Sequence, residues 1–152
     1  MTPHEFAREM GQFGEALVAA PLRPAMEAAR GLLRQNVRDN FTSSAGPDGQ
    51  AWPARKTVGD GHPLLMDTGA LMQAATGGGA GAMSIVEDRA VEIGVDASVR
   101  QGGIPGARRH EFGGGGIPAR PYLGASEPTL DKIGETIADA ALGAMLAASP
   151  GG

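Results

Sequence analysis

Met83-Ser84-Ile85-Val86-Glu87-Asp88-Arg89-Ala90-Val91-Glu92-Ile93-Gly94-Val95 is the stretch on which the reading of the fold turns. Val91, Ile93 and Val95 alternate with Glu92, and two β-branched runs flank Asp88-Arg89, the pattern of a half-buried antiparallel hairpin. Immediately upstream, Thr76-Gly77-Gly78-Gly79-Ala80-Gly81 is too flexible for anything but a loop or a poorly ordered strand end. Leu64 to Met72 fits either a turn of helix or the start of a strand, and its periodicity does not choose between them. Downstream, residues 97–119 are dominated by Gly, Pro and Arg, and Tyr122-Leu123 reads as a short final strand.

Further out, both ends of the chain read as helix. Thr2-Pro3-His4-Glu5 is a helix start: Thr2 caps, Pro3 occupies a position whose N–H has no partner in any case, and Glu5 completes a capping box. Phe6, Met10, Phe13 and Leu17 then form one stripe at helical spacing. Pro21 and Pro24 interrupt it. Met26, Ala29, Leu33, Val37 and Phe41 resume the period, with Arg30, Arg34 and Arg38 on another face, read as solvated. From Thr42 to Pro63 the chain carries loop signals, including Gly46-Pro47-Asp48-Gly49, Trp52-Pro53 and Gly59-Asp60-Gly61. Ser126-Glu127-Pro128 opens a C-terminal helix with Leu130, Ile133, Ile137, Ala141 and Ala144 on one face. The expected fold is α+β: N-terminal helices, a small antiparallel sheet and a C-terminal helix, as one domain over residues 1–152 with a disordered tail at 148–152. A small sheet with an uncovered edge or face is open to completion by a neighbouring subunit.

Composition narrows the function. The 152 residues include 25 Gly and 11 Pro but only four Phe, one Tyr and one Trp, so the core must rely on aliphatic side chains and Ala. A net charge of −4 argues against a protein whose main task is neutralising DNA phosphates or coating an anionic membrane. The absence of Cys removes disulfides, thiolate nucleophiles and Cys-containing metal sites. No window reaches eighteen consecutive apolar residues, and the N-terminus carries Glu5 and Glu9 in place of a signal-peptide pattern, so the sequence predicts a soluble chain not exported by that route.

No catalytic template fits. His110-Glu111 begins like a zinc-protease helix, but Gly114 stands where the second His belongs. Gly77, Gly79 and Ala82 match relaxed dinucleotide spacing, yet a strand follows where that site needs a helix. There is no phosphate-binding loop and no Gly-x-Ser-x-Gly elbow. His62 with Asp67 could be drawn as a base and its orienter, though spacing places them beside no nucleophile. The sequence therefore predicts no enzyme, no metal and no cofactor.

Several segments in order carry a resemblance: Phe41; Gly46-Pro47-Asp48-Gly49-Gln50-Ala51-Trp52-Pro53 with Thr57; Leu65-Met66-Asp67-Thr68-Gly69-Ala70-Leu71; His110-Glu111-Phe112-Gly113; and Ile117-Pro118-Ala119-Arg120-Pro121-Tyr122-Leu123-Gly124. From about Phe41 to Gly124 the chain resembles the phage virion-morphogenesis family, the tail-completion proteins of tailed phages and prophages, including those of the Mu-like G type. The stretch Ala97 to Ala107 departs from the family by its Gly and Pro content and lacks the Tyr-Ala pair that often precedes the His.

The resemblance implies a structural protein of the virion neck with a fold like tail-terminator and tail-tube proteins. It would form a ring of about six copies at the head-proximal end of the tail, completing the tail and permitting head-tail joining. Its partners would be further copies of itself, the tail-tube protein, a head-side connector or stopper, and genomic DNA passing through without sequence-specific binding. Assembly would take place in the bacterial cytoplasm. Alternatives are a head-side connector or stopper, or, in another class, a small DNA-binding regulator using the Arg30, Arg34, Arg38 row, which four acids offset within the first forty residues besides Asp39. The residues assigned to subunit or neck-protein contacts are Arg108, Arg109, His110, Phe112, Ile117, Pro118, Arg120 and Tyr122. Trp52, Asp67, Thr68, Gly69 and Leu71 are assigned as structural anchors, Trp52 also being a possible interface residue.

The same residues have physical readings. Pro118 and Pro121 push their preceding residues out of the helical region, so Arg120 is presented from a stiff segment, to a carboxylate across a subunit boundary or to one in its own chain. His110 and Phe112 would share a face if their segment is extended. Residues 97–119, with seven Gly and with Arg100, Arg108 and Arg109 against Glu111, read as a flexible interface loop ordered by carboxylates of a neighbour.

Overall fold

The computed structural model describes residues 1–56, 61, 63–101 and 104–148. Helix α1 (Pro3–Ala19) starts as its sequence predicts: Glu5 N donates to Thr2 Oγ1 at 3.2 Å, and Thr2 N donates to the Glu5 carboxylate at 2.6 Å. The chain breaks around Pro21 and resumes as α2 (Arg23–Ser43), whose end is closed by Ser44 in the left-handed region at φ 54°. Ala25, Met26, Ala29, Val37 and Phe41 form its buried stripe. The arginine row lies off that stripe: Arg30 pairs with Glu27, Arg38 donates to Gln35, and Arg34 reaches Ser84 Oγ at 3.2 Å.

The ambiguous segment after Leu64 resolves as a short helix, α3 (Ala70–Ala75). The hairpin follows where the alternation predicts it. Strands β1 (Ala82–Val86) and β2 (Val91–Val95) pair antiparallel, with Ala82 opposite Val95 and Val86 opposite Val91. Their half-buried side packs on α2 and α3, while Met83 and Ile85 face outward. A second, minimal antiparallel pair joins β3 (Arg100–Gln101) to β4 (Ile104–Pro105). Helices α4 (Ala107–Phe112) and α5 (Glu127–Ala148) complete an α+β chain. Thr57, His62 and residues 149–152 of the expected tail lie outside the described residues.

The core gathers Val37, Phe41, Leu65, Leu71, Ala74, Val99 and Ala107 around Trp52 and Tyr122. A chain with one Trp and one Tyr places both against the same phenylalanine. Phe41 meets Trp52 edge-on with centroids 5.6 Å apart and Tyr122 at 5.4 Å in a tilted arrangement.

Three expectations need correction. Tyr122-Leu123 is not a strand, because three of its backbone polar groups, both N–H groups and the Tyr122 carbonyl, are taken by side chains in place of a ladder. Residues 107–112, read as part of an irregular loop, are helical. On a helix, residues two apart point to opposite sides, so His110 is buried and Phe112 exposed, and the shared extended face does not exist. Leu130 shares a face of α5 with Ile133 and Ile137 by spacing but is 53% exposed, because it opens onto the groove beside the start of that helix. The Phe6, Met10 and Leu17 stripe of α1 is exposed as well.

Candidate functional site

Three of the elements quoted for the resemblance, Phe41, the loop carrying Trp52 and the His110-Glu111 element, meet on residues 118–124. Pro121 O accepts from Trp52 Nε1 at 2.8 Å, which fixes the loop after α2 to this segment. Tyr122 O accepts from Asn40 Nδ2 at 3.0 Å, while Tyr122 N and Leu123 N donate to Glu111 Oε2 at 2.8 and 3.1 Å. Tyr122 Oη donates to Ala107 O at 3.1 Å, and Arg120 N donates to His110 O at 2.6 Å. Helix α4 is thus clamped along its length by the segment that follows it. Gly113 makes the return possible: it lies at φ 76°, and a Cβ there would stand 3.0 Å from Ala119 N.

Arg120 is buried, and its guanidinium spends its donors within the chain. Nε donates to Pro53 O at 2.8 Å and Nη2 to Ala54 O at 3.1 Å. These two partners are backbone carbonyls of its own chain, a form of intrachain tie that neither carboxylate alternative included. Burial, with the nearby Arg55 charge second, lowers the pKa of this guanidinium. Burial also pushes the Glu111 carboxyl above its ordinary value, with the two backbone donors acting against that rise, and raises the Tyr122 phenol, the Glu111 charge adding to it.

A second polar cluster joins α2 to α5. Asn36 Nδ2 donates to Asn40 Oδ1 at 3.2 Å; Asn36 Oδ1 accepts from Ser126 N and Oγ, both at 2.9 Å, and from Thr129 Oγ1 at 2.6 Å. One buried amide therefore organises the first turn of a 22-residue helix. Asn36 and Asn40 were not singled out from sequence, and Glu111 was named there without this role. The available signal was position: Asn36 and Asn40, four apart, border the Val37 and Phe41 stripe.

The remaining assigned residues divide cleanly. Arg108, Arg109 and Phe112 stand on the outer face of α4, with Phe112 73% exposed. Ile117 and Pro118 are half-buried, Ile117 closing a turn in which Gly114 N donates to Ile117 O at 3.0 Å. Leu71 is fully buried, Gly69 sets the start of α3 at φ 76°, Thr68 Oγ1 accepts from Ala70 N at 3.3 Å, and Asp67 is exposed. Tyr122, Arg120 and His110 are enclosed within the chain. Around the start of α5 an open groove of about 850 Å³ runs between the end of α2, the turn at 45–49 and residues 125–130.

Among the described residues, no three His, Asp or Glu side chains are grouped to hold a metal ion, and no helix is long and apolar enough to cross a membrane. No curated protein and no solved structure matches the chain. A family model does, over residues 6–141, a span that takes in the α4 clamp, the aromatic cluster and most of α1 and α5. Its description is that of proteins that build phage virions, a structural and assembly role not known to be enzymatic. With nearly the whole chain inside that match, the protein belongs to the phage virion morphogenesis family.

Proposed function

We propose that this chain is a neck component that assembles into a ring on the head-proximal end of the phage tail, completing the tail and making it competent to join a filled head. Its partners are further copies of itself, the tail-tube protein and the head-side connector, and DNA passes through the ring without sequence-specific contact. The observation that carries this reading is the breadth of the family match, which extends beyond the clamped centre into both terminal helices. The surface supports it. Large apolar side chains stand exposed on α1, on β1 and on α5, namely Phe6, Met10, Ile85, Leu142 and Leu146, as expected of a subunit that buries area only on assembly.

A phage deleted for this protein should yield DNA-filled heads and separate tails, unfinished or of aberrant length, in electron micrographs. Normally joined particles would refute the proposal.

A further inference from the structure

We propose that the outer face of α4 of one copy docks into the groove at the start of α5 of a second copy; the inference rests on the ring reading and names a contact that would build it. Arg108, Arg109 and Phe112 occupy positions i, i+1 and i+4, so both guanidinium groups flank the ring on one helix face. Phe112 is 73% exposed, and neither ion pair seen between described residues, Arg23–Asp88 or Arg30–Glu27, uses Arg108 or Arg109. Helix α4 is held rigidly from behind by Glu111, Tyr122 and the Arg120 amide, so this face is presented in a fixed orientation.

The groove has the opposite character. Pro47, Pro128 and the exposed Leu130 give it apolar walls, and Asp39, Asp48 and Glu127 line it with negative charge, with no Lys or Arg among its lining residues. A basic face centred on an aromatic ring thus meets an acidic groove with apolar walls, complementary in both charge and apolarity. A second copy is the occupant favoured because one chain carries both halves. An aromatic anchor flanked by arginines is also the composition that dominates interface energetics.

The test is sedimentation velocity on the full chain across micromolar to near-millimolar concentration. Wild type should self-associate, and Arg108→Glu with Arg109→Glu should weaken that association about tenfold or more. Asp39→Arg with Glu127→Arg should do the same. Mixing the two charge-reversed proteins in equal amounts should restore assembly, because each then offers the other a matching face and groove. Phe112→Ser, at an exposed position, should weaken association with the monomer's circular dichroism unchanged.

Three results would overturn the inference: a wild type monomeric throughout the range, either reversed protein assembling like wild type, or a mixture that fails to recover. Reversed α4 variants that assemble normally but lose retention on DNA would assign the face to nucleic acid and overturn it too. The deletion phenotype judges the ring reading separately, since unfinished tails alongside normally assembling variants would defeat this contact alone.

Discussion

The α4 clamp and the α1–α5 layer are built on different principles. Around Tyr122 the chain uses few residues, nearly all committed: an aromatic cluster on Phe41, and backbone groups satisfied by Trp52, Asn40, Glu111 and Arg120. In α1 and α5, 39 residues of helix, no side chain is fully buried, and apolar stripes remain open. The clamp is specified inside one chain, whereas the layer is left under-filled. Stability should be concentrated in the first region and assembly surface in the second.

Tyr122→Ala should break the clamp outright. It removes a fully buried ring and the hydroxyl bound to Ala107 O, a loss of about 3–5 kcal/mol, which urea unfolding would register as a protein near or below its folding threshold. A cost no larger than that of a helix-surface substitution would dissolve the distinction between the two regions. Arg120→Ala comes next. It leaves the carbonyls of Pro53 and Ala54 without their donor, at about 1–3 kcal/mol, read as a lowered unfolding midpoint of the isolated subunit. Unchanged subunit stability together with lost assembly would instead return Arg120 to the interface.

Glu111→Gln sharpens the comparison through pH. The folded-state pKa of Glu111 is raised, chiefly by burial, so the native chain holds this proton more tightly than the unfolded one. Its contribution is fully present below the ordinary carboxylate pKa and is lost as pH rises through the elevated folded value. Glutamine keeps an acceptor for Tyr122 N and Leu123 N without a charge to desolvate. The stability of Glu111→Gln relative to wild type should therefore rise with pH across that window. Glu5 and Asp96, whose pKa values are lowered by hydrogen bonds from Thr2 and Ser98, contribute with the opposite sign but cancel in the difference. A pH-independent difference would mean that the clamp tolerates the buried charge at no cost. The smallest effect belongs to the layer: Phe6→Ser or Leu142→Ser should change subunit stability by about 0.5 kcal/mol or less, while exposed positions in the clamp's helix, such as Arg109→Ala, should behave alike.

Much of this was legible in the sequence where local rules act alone. The Thr2–Glu5 capping box, the break at Pro21, the hairpin from alternation at Val91 to Val95, and the start of α5 at Ser126-Glu127-Pro128 each depend on neighbours within a few residues. Helix α4 was missed because six residues span under two turns, too short to show a period against flanking glycines. Tyr122-Leu123 passed for a strand because an apolar pair after a proline looks the same in sequence whether its backbone partners are another strand or the side chains of Asn40 and Glu111. Those partners lie 82 and 11 residues away, and no spacing rule connects them. Asn36 and Asn40 escaped for a related reason: a buried amide is indistinguishable in sequence from a solvated one until its partners are known.

The Asn36 junction also has a mechanical meaning. Twenty-two residues at about 1.5 Å each make α5 a rod roughly 33 Å long, and the polar bonds that Asn36 makes to it all fall within its first turn, at Ser126 and Thr129. A tilt of about 5° at that pivot swings the far tip by roughly 3 Å, so a small displacement of the Asn36 side chain is multiplied along the rod. Helix α1 leans on the same rod and is pinned at its C-terminal end by Arg89 on Leu17 O and Val18 O. The side-chain hydrogen bonds that Asn36 makes thus tie the direction of the α1–α5 pair to one amide group on α2.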